Sequence, residues 1–193
     1  MEAVIGRNDI LRPEGHDLIK FSTLWICEKW SEDAVKFARK KLGKGKDREI
    51  SSAELRKLLI PAEIVEEIPG NMLLNEGIQL ILDLLIGAGG TVASNANAQV
   101  GVGDSATAEA ATQTDLQAGA NKLFKAMNAT FPSRAAQTLS FQSDFTTGEA
   151  NFVWNEWSIR NQAAADKNIN RKVQALGTKT SGTWTLTGTI TLS

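Results

Sequence analysis

The sequence has 193 residues, a formal net charge of −1 and a hydrophobic fraction of 42%, which are ordinary values for a globular protein. Because binding to nucleic acid needs a surplus of lysine and arginine, the balanced charge argues against nucleic acid as a partner. No apolar run approaches the roughly 20 residues that a transmembrane helix needs, and the charged first residues are not typical of a signal peptide. We therefore expect no membrane partner.

Charged residues are concentrated in the first part of the chain. Residues 1–70 contain 26 of the 43 Asp, Glu, Lys and Arg residues, whereas the sequence after Asn71 is rich in Thr, Gly, Asn and Ala. This shift predicts a charge-rich, helical anchoring region at residues 1–70 and a second domain at residues 71–193. A turn at Pro69 and Gly70 is the predicted boundary.

Two short helices are predicted in the first region. Ser31 is a candidate N-cap followed by acidic residues, and the basic run 39–41 with Gly43 marks the predicted end of that helix. Ser51 and Glu54 have the spacing of a capping box at the start of the next helix. Because both helices have narrow apolar stripes, we expect them to pack on the second domain or on a neighbouring subunit.

The second region begins with one predicted helix at about residues 76–86. Asn75 is its candidate N-cap, and the glycines after residue 86 are its predicted end. Ile78, Ile81, Leu82 and Leu85 form one broad apolar stripe at helical spacing. We therefore expect an amphipathic helix that opens the domain.

The segments that follow predict a mainly β fold. They alternate polar and apolar residues or lie between Gly, Asn, Ser and Thr turns, which is typical of short strands. The predicted strands are AQVGVGDS, TLSFQSDF, ANFVWNEWSIRN, RKVQALGT and SGTWTLTGTITLS, while NKLFKAM is predicted as a short helix. In ANFVWNEWSIRN, Trp154 falls on one face and Trp157 on the other. The pattern indicates a β-sandwich or barrel, of which we favour an antiparallel, jelly-roll-like β-sandwich.

The segment SGTWTLTGTITLS has the most regular pattern in the sequence. Its threonines alternate with Trp184, Leu186, Ile190 and Leu192, so each set lies on one face of a strand. Threonine is β-branched and polar, which suits the wetter face of a sheet. We expect the four large apolar side chains to face a core.

Candidate catalytic groups are few. His16 is the single histidine and Cys27 is the single cysteine, so a Ser-His or Cys-His arrangement would require His16. We interpret His16 as a surface residue and Cys27 as a small buried apolar residue. Glu149 and Glu156 could form a glycosidase pair, which is the weakest hypothesis. We predict no catalytic residue, no metal site and no cofactor.

The aromatic residues suggest an interface. The chain has five tryptophans and no tyrosine; Trp154 and Trp184 are predicted to fill a core. Tryptophans in the charged region, which has little core of its own, are better candidates for contacts with other proteins. Trp157 is also a candidate platform for carbohydrate stacking. The predicted interface residues are Trp25, Trp30, Phe37, Leu59 and Trp157.

Five segments in a fixed order resemble a family of small virion proteins of tailed bacteriophages. They are GNMLLNEGIQLILDLLIGAGG, NANAQVGVGDS, ATQTDLQAGANKLFKAMNATFPSR, ANFVWNEWSIRN and NRKVQALGTKTSGTWTLTGTITLS. The resemblance covers about residues 71–193 and leaves out the first 70 residues. It implies a location in the virion after synthesis in the bacterial host cytoplasm, and it implies this setting more firmly than a biochemical role.

The resemblance implies a structural virion protein, such as a capsid decoration or head-fibre-like protein. Its partners would be copies of itself, expected as a trimer by analogy with phage decoration and fibre proteins, and the major capsid or tail proteins. A neck, tail or baseplate component is the nearest alternative. A host-surface carbohydrate-binding module and an enzyme are the alternatives from other classes.

Overall fold

The computed structural model describes residues 21–161 and 167–193. His16 therefore lies outside the described residues. Within these ranges the chain is mainly β, with two antiparallel sheets and three α-helices. The helices are α1 (Glu32–Lys41), α2 (Ser52–Lys57) and α3 (Asn75–Ile86).

Each sheet combines strands that are distant in sequence. The first sheet contains, in spatial order, β2 (Ile64–Pro69), β1 (Phe21–Trp30), β11 (Thr183–Leu192), β7 (Thr138–Phe145) and β6 (Ser133–Ala135). The second contains β3 (Met72–Leu73), β10 (Asn170–Thr178), β8 (Val153–Asn161), β4 (Ala98–Gly103) and β5 (Lys122–Ala126), and β9 (Lys167–Asn168) pairs with β8.

The predicted helical N-terminal region is not confirmed as a separate unit. Strand β1 pairs with β11 along its whole length, from Phe21 opposite Leu192 to Trp30 opposite Thr183. On its other side β1 pairs with β2, which ends at Pro69. The predicted boundary at Pro69 and Gly70 therefore follows an edge strand of the first sheet, and residues 21–30 form a strand instead of a helix.

Charged residues interrupt the alternating pattern that would predict β1 from the sequence. Glu28 and Lys29 sit near the end of the strand, where they interrupt its polar and apolar alternation. Both are neutralised by side chains from elsewhere in the chain: Glu28 by Arg56, and Lys29 by Glu66. Because these partners are brought together by the fold, no local pattern could reveal them.

Helices α1 and α2 form at the predicted positions and pack on the first sheet of their own chain. The Ser31 hydroxyl accepts a hydrogen bond from Ala34 N, and Ser51 with Glu54 makes the predicted capping box. These interactions satisfy amide groups that helix starts leave without partners. A small core beside the sheet contains Trp30, Val35, Ala38, Ile50 and Leu55.

The two sheets contribute side chains to one shared core. Trp25 of the first sheet and Trp157 of the second meet edge to face, with ring centroids 6.1 Å apart. Phe145 of the first sheet contacts Trp154 of the second in the same way at 4.8 Å. Cys27 is buried in this core as predicted.

Strand β11 is confirmed, but its threonine face is not uniformly exposed to solvent. Leu186 and Ile190 lie in the shared core as expected. Thr183 and Thr185 are also fully buried, because residues 50–52 and the helices cover that end of the outer face. The Thr183 hydroxyl donates to Ile50 O at 2.9 Å, and the Thr185 hydroxyl donates to the Asp144 carboxylate at 2.8 Å. Both buried hydroxyls therefore have hydrogen-bond partners inside the protein.

Two local predictions are wrong. NKLFKAM forms strand β5, which pairs with β4, instead of a short helix. Trp154 and Trp157 both belong to the shared core, although strict alternation placed them on opposite faces. The pairing of β8 with β10 shifts register between Val173 and Gly177, so alternation is interrupted beside these residues.

Gly188 allows Trp25 to pack across the centre of the first sheet. A Cβ atom at residue 188 would lie 2.7 Å from a Trp25 ring carbon, and Trp25 cannot retreat because it contacts Trp157. Gly188→Ala should therefore lower the free energy of unfolding by about 1–3 kcal/mol, measured by urea denaturation. Gly148→Ala is the control, since open space surrounds that position; equal stability of the two variants would contradict this packing.

Candidate interaction surface

Helix α3 is fixed to the second sheet through its first turn. A Cβ atom at Gly77 would lie 2.4 Å from Ile169 O, so glycine allows the helix to lie directly on the backbone of residues 167–170. The Glu76 carboxylate accepts a hydrogen bond from Asn168 N at 2.6 Å, and Leu74 N donates to Ile169 O. The helix start is therefore rigidly placed.

The ends of α3 differ in detail from the prediction. Leu74 occupies the N-cap position without a side-chain hydrogen bond, and Asn75 is the first helical residue. Gly87 ends the helix at φ 69°, a left-handed conformation that glycine adopts easily. The second half of the helix projects beyond the sheets, because every residue from Ile81 to Ile86 is exposed.

The apolar stripe predicted on α3 faces away from the protein's own core. The buried residues of the helix are Glu76, Gly77 and Leu80, whereas Ile78, Ile81, Leu82 and Leu85 are exposed. The helix is apolar on nearly all sides, so periodicity alone cannot say which face packs inward. The contacts of Gly77 and Glu76 with residues 167–170 decide it.

A cavity of about 350 Å³ lies between α3 and the adjoining ends of the first sheet. Its walls are almost entirely apolar. They are formed by Phe21, Leu80, Ile81, Leu84, Val92, Ala93, Pro132, Gln137, Leu139, Phe141, Ile169, Ile190 and Leu192. The cavity therefore connects α3 with the ends of β1, β7 and β11.

Large apolar side chains remain exposed around this cavity. We call the following set the α3 surface: Ile78, Ile81, Leu82, Leu84, Leu85, Ile86, Val92, Leu139 and Leu192, with exposed fractions between 37% and 79%. Five of the six residues from Ile81 to Ile86 are large aliphatic side chains that are 37% to 79% exposed, whereas a typical monomer leaves large apolar residues exposed singly or in patches of roughly 300–600 Å². Such a concentration of exposed apolar residues is typical of a surface that binds another protein or a membrane.

The α3 surface carries little charge. Helix α3 contains no lysine or arginine, and its acidic residues are the exposed Asp83 and the buried Glu76, which is 3.9 Å from Lys167. Arg134 lies opposite Leu139 at the edge of the surface and donates to Ala136 O. Attraction between opposite charges therefore contributes little along α3 itself. Burial of apolar area is the interaction that it can offer.

Three of the five predicted interface residues are wrong. Trp25, Trp30 and Trp157 are less than 2% exposed, and Trp25 contacts Trp157 inside the shared core. Their rings are therefore unable to reach another protein or to stack on a carbohydrate. The error arises because β1 and the helices bury these tryptophans within the chain.

The other two predicted interface residues are exposed. Phe37 is 52% exposed on α1, and Leu59 is 89% exposed just after α2. Both lie in the region that covers the first sheet, and neither belongs to the α3 surface. Their role in an interface stays a prediction.

The two glutamates of the glycosidase hypothesis are tied to basic residues. Glu156 is fully buried, and its carboxylate accepts hydrogen bonds from Gln117 N, Ala118 N and the Arg171 guanidinium. Glu149 pairs with Lys125. Although burial alone would raise the pKa of Glu149, hydrogen bonds from Lys125 and Thr146 lower it below its usual value.

Arg171 donates four hydrogen bonds inside the protein. Its Nε donates to Glu156 Oε2 at 2.7 Å, and the other three reach Thr107 O, Ala108 O and the Gln113 side chain. Its Nη2 also lies 2.6 Å from the same Glu156 oxygen as an ion pair. A buried ion pair is compatible with the interior when its remaining donors and acceptors are satisfied in this way. Through these bonds the pair holds residues 107–118 against the second sheet.

Two further ionisable groups are buried. Burial raises the pKa of the Cys27 thiol to about 12, so it does not have the low pKa of a catalytic cysteine. Burial lowers the pKa of Lys179 to about 8, and its amine donates to Thr146 O at 2.8 Å and to the Asn151 side chain at 3.0 Å. These bonds fix the turn before β8.

Within residues 21–161 and 167–193, no three His, Cys, Asp or Glu side chains are grouped so that they could hold a metal ion. Over the same residues, no helix has the length and apolarity to cross a bilayer. Comparison with protein-family models, with curated proteins and with solved structures found no match. The α3 surface is therefore the candidate functional site that the described geometry offers.

Removal of the Arg171 guanidinium should strongly destabilise the fold. Arg171→Met leaves the Glu156 carboxylate buried without its counterion, which typically costs about 3–5 kcal/mol of unfolding free energy. Arg134→Met is the control, because Arg134 is exposed and donates to Ala136 O of its own turn. Urea denaturation measures both, and amide exchange at Gln117 and Ala118 should accelerate in Arg171→Met. Similar stability of the two variants would refute the assigned role.

Lys179 should make stability depend on alkaline pH. Its pKa is about 8 in the folded chain and near 10.4 when unfolded, so the unfolded state binds more protons between these values and stability rises with pH. The Cys27 thiol opposes this trend, and comparison with Lys179→Met cancels its contribution.

The unfolding free energy of the wild type, minus that of Lys179→Met, should increase by about 2 kcal/mol from pH 8 to pH 10. Titration of tyrosine does not interfere, because the chain has none. Lys46→Met, at an exposed lysine, should show no such difference. A constant difference across this range for Lys179→Met would contradict the lowered pKa.

Proposed function

We propose that this protein is a structural component of a tailed-phage virion, most consistent with a capsid decoration or head-fibre-like protein that assembles non-covalently. The α3 surface carries this proposal, because large aliphatic side chains exposed in such concentration are typical of a surface that binds a partner. The resemblance of residues 71–193 to small virion proteins supplies the setting. A neck, tail or baseplate protein is the alternative within the same class.

The fold suits such a role if the two sheets form a β-sandwich. The shared core contains side chains from both sheets, including Trp25, Phe145, Trp154 and Trp157, as expected for two sheets packed face to face. We include a jelly-roll-like sandwich in the proposal. A sandwich of this kind is a rigid body whose ends can carry separate contacts.

A second contact with the particle is proposed at Phe37 and Leu59. Phe37 lies on α1 and Leu59 just after α2, whereas the α3 surface lies at the end of β1, β7 and β11. The protein would thus offer one surface to neighbouring copies and another to the major capsid or tail protein. Multiple weak contacts of this kind stabilise a shell by mass action.

The test is the composition of purified phage particles. Quantitative mass spectrometry should find the chain at a fixed ratio to the major capsid protein, and electron cryo-microscopy should locate it on the head. Phages that carry Phe37→Glu and Leu59→Glu should contain much less of the chain, because a charge on each residue opposes its burial. Lys46→Ala, a change at another exposed residue of this region, should leave the ratio unchanged.

Absence of the chain from purified particles would refute the proposed function. Density on the tail instead of the head would replace the decoration role with the tail alternative. Wild-type levels of the double variant would remove Phe37 and Leu59 from the particle contact.

A further inference from the structure

We propose that the α3 surface binds a second copy of this chain, with helix α3 of one copy packed against helix α3 of the other. This inference builds on the proposed function, since it names the partner of the surface invoked there. It rests on the spacing of the exposed residues, on how exposed they are and on the absence of lysine and arginine from the helix.

The exposed residues of α3 have the spacing that a helix partner requires. Ile78, Leu82 and Leu85 stand at positions i, i+4 and i+7, and Ile86 lies beside Leu85 on the next position. Apolar residues at this spacing form a seam that packs against a similar seam on another helix. A sheet edge or an extended peptide would not match it, because strands present side chains with a period of two.

The fold supplies the rigidity that a short helix lacks. A helix of 12 residues is only marginally stable alone in water, but Glu76 and Gly77 fix the start of α3 to residues 167–170. The seam is therefore presented in one orientation. Two copies lose little further conformational freedom when their helices meet.

The exposure of the seam fits the centre of an interface between copies. Stable interfaces bury roughly 800 Å² on each partner, and Ile78, Leu82, Leu85 and Ile86 are between 39% and 79% exposed on the side of α3 away from the cavity. In a contact between identical surfaces, each copy contributes the same residues. One seam on each copy is therefore enough to form the interface.

The charge distribution favours a copy over a charged partner. Helix α3 has no lysine or arginine. Lys167 and Arg134 lie beside the α3 surface: Lys167 is 3.9 Å from Glu76, and Arg134 is opposite Leu139 and donates to Ala136 O. Because both are engaged by the chain itself, the Ile78–Leu85 seam offers little to attract an acidic protein or anionic lipid. The exposed carboxylate of the helix, Asp83, lies on the side away from the Ile78–Leu85 seam. A net charge of −1 adds little repulsion between copies.

Light scattering of the purified full-length protein tests the inference. The wild type should be oligomeric at micromolar concentration, and the double variant Leu82→Glu with Leu85→Glu should be monomeric with an unchanged circular dichroism spectrum. Leu59→Glu is the matched control, because Leu59 is more exposed than either but lies outside the α3 surface; it should remain oligomeric. A contact between identical surfaces closes at two copies, so the measured mass also distinguishes this dimer from the trimer that the resemblance implies.

Cysteine cross-linking tests whether the helices themselves meet. Single cysteines at Ile78, Leu82, Leu85 and Ile86 sample the seam, and at least one should form an intersubunit disulfide under mild oxidation, since symmetry places part of the seam beside its own counterpart. Leu59→Cys should not cross-link. The native Cys27 is buried and contributes no background.

A monomeric wild type, or an oligomer that survives Leu82→Glu with Leu85→Glu, would overturn this inference. A monomer that also fails to bind a hydrophobic dye would show that the surface is covered within the chain. Oligomers that lack every seam cross-link would assign the α3 surface to a different contact. Each result is independent of particle composition, so failure of this inference and failure of the proposed function are distinguishable.

Discussion

The pairing of β1 with β11 is the contact on which the rest of the structure depends. It places Trp25 and Cys27 in the shared core, beside Gly188 and Leu186 of the partner strand. It also carries α1, which begins directly after β1, and then α2 onto the outer face of the first sheet. The other end of the same pair, at Phe21 and Leu192, forms part of the apolar cavity under α3. One long-range ladder therefore positions the core, the helical cover and the candidate interaction surface.

Buried polar groups anchor the parts of the chain that have little apolar surface of their own. Arg171 and Glu156 hold residues 107–118 on the second sheet through bonds to backbone groups. Asp144 performs a similar task on the first sheet, where its carboxylate accepts hydrogen bonds from Ser52 N, Asn128 and Thr185. In each case a charged group is satisfied by several donors, which is the condition for its burial. The bonds of Arg171 and Glu156 hold residues 107–118, which lie in no helix or strand, against the second sheet.

The interior and the proposed interface use different kinds of apolar side chain. Aromatic side chains form the contact between the sheets, where Trp25 contacts Trp157 and Phe145 contacts Trp154. Aliphatic side chains of α3 are left in contact with water because Gly77 and Glu76 fix the opposite side of the helix inward. Assembly through α3 would complete the burial that folding leaves unfinished. In this arrangement Phe37 and Leu59 stay available for a different protein.

Elements with local signals can be predicted from the sequence. The caps at Ser31 and Ser51, the extent of α3 and the alternation in β7 and β11 depend on residues a few positions apart, and the structure contains all of these elements. The partners of each element follow from the fold alone. Strand β1 forms between β2 and β11, with its charges neutralised by Glu66 and Arg56. Trp25 and Trp157 are core residues because the two sheets meet there, and Trp30 is buried with residues of α1 and α2. The tertiary structure also decided that the apolar stripe of α3 points outward. Periodicity fixes the positions of side chains relative to one another along an element, whereas the direction in which a face points depends on contacts between residues far apart in the chain.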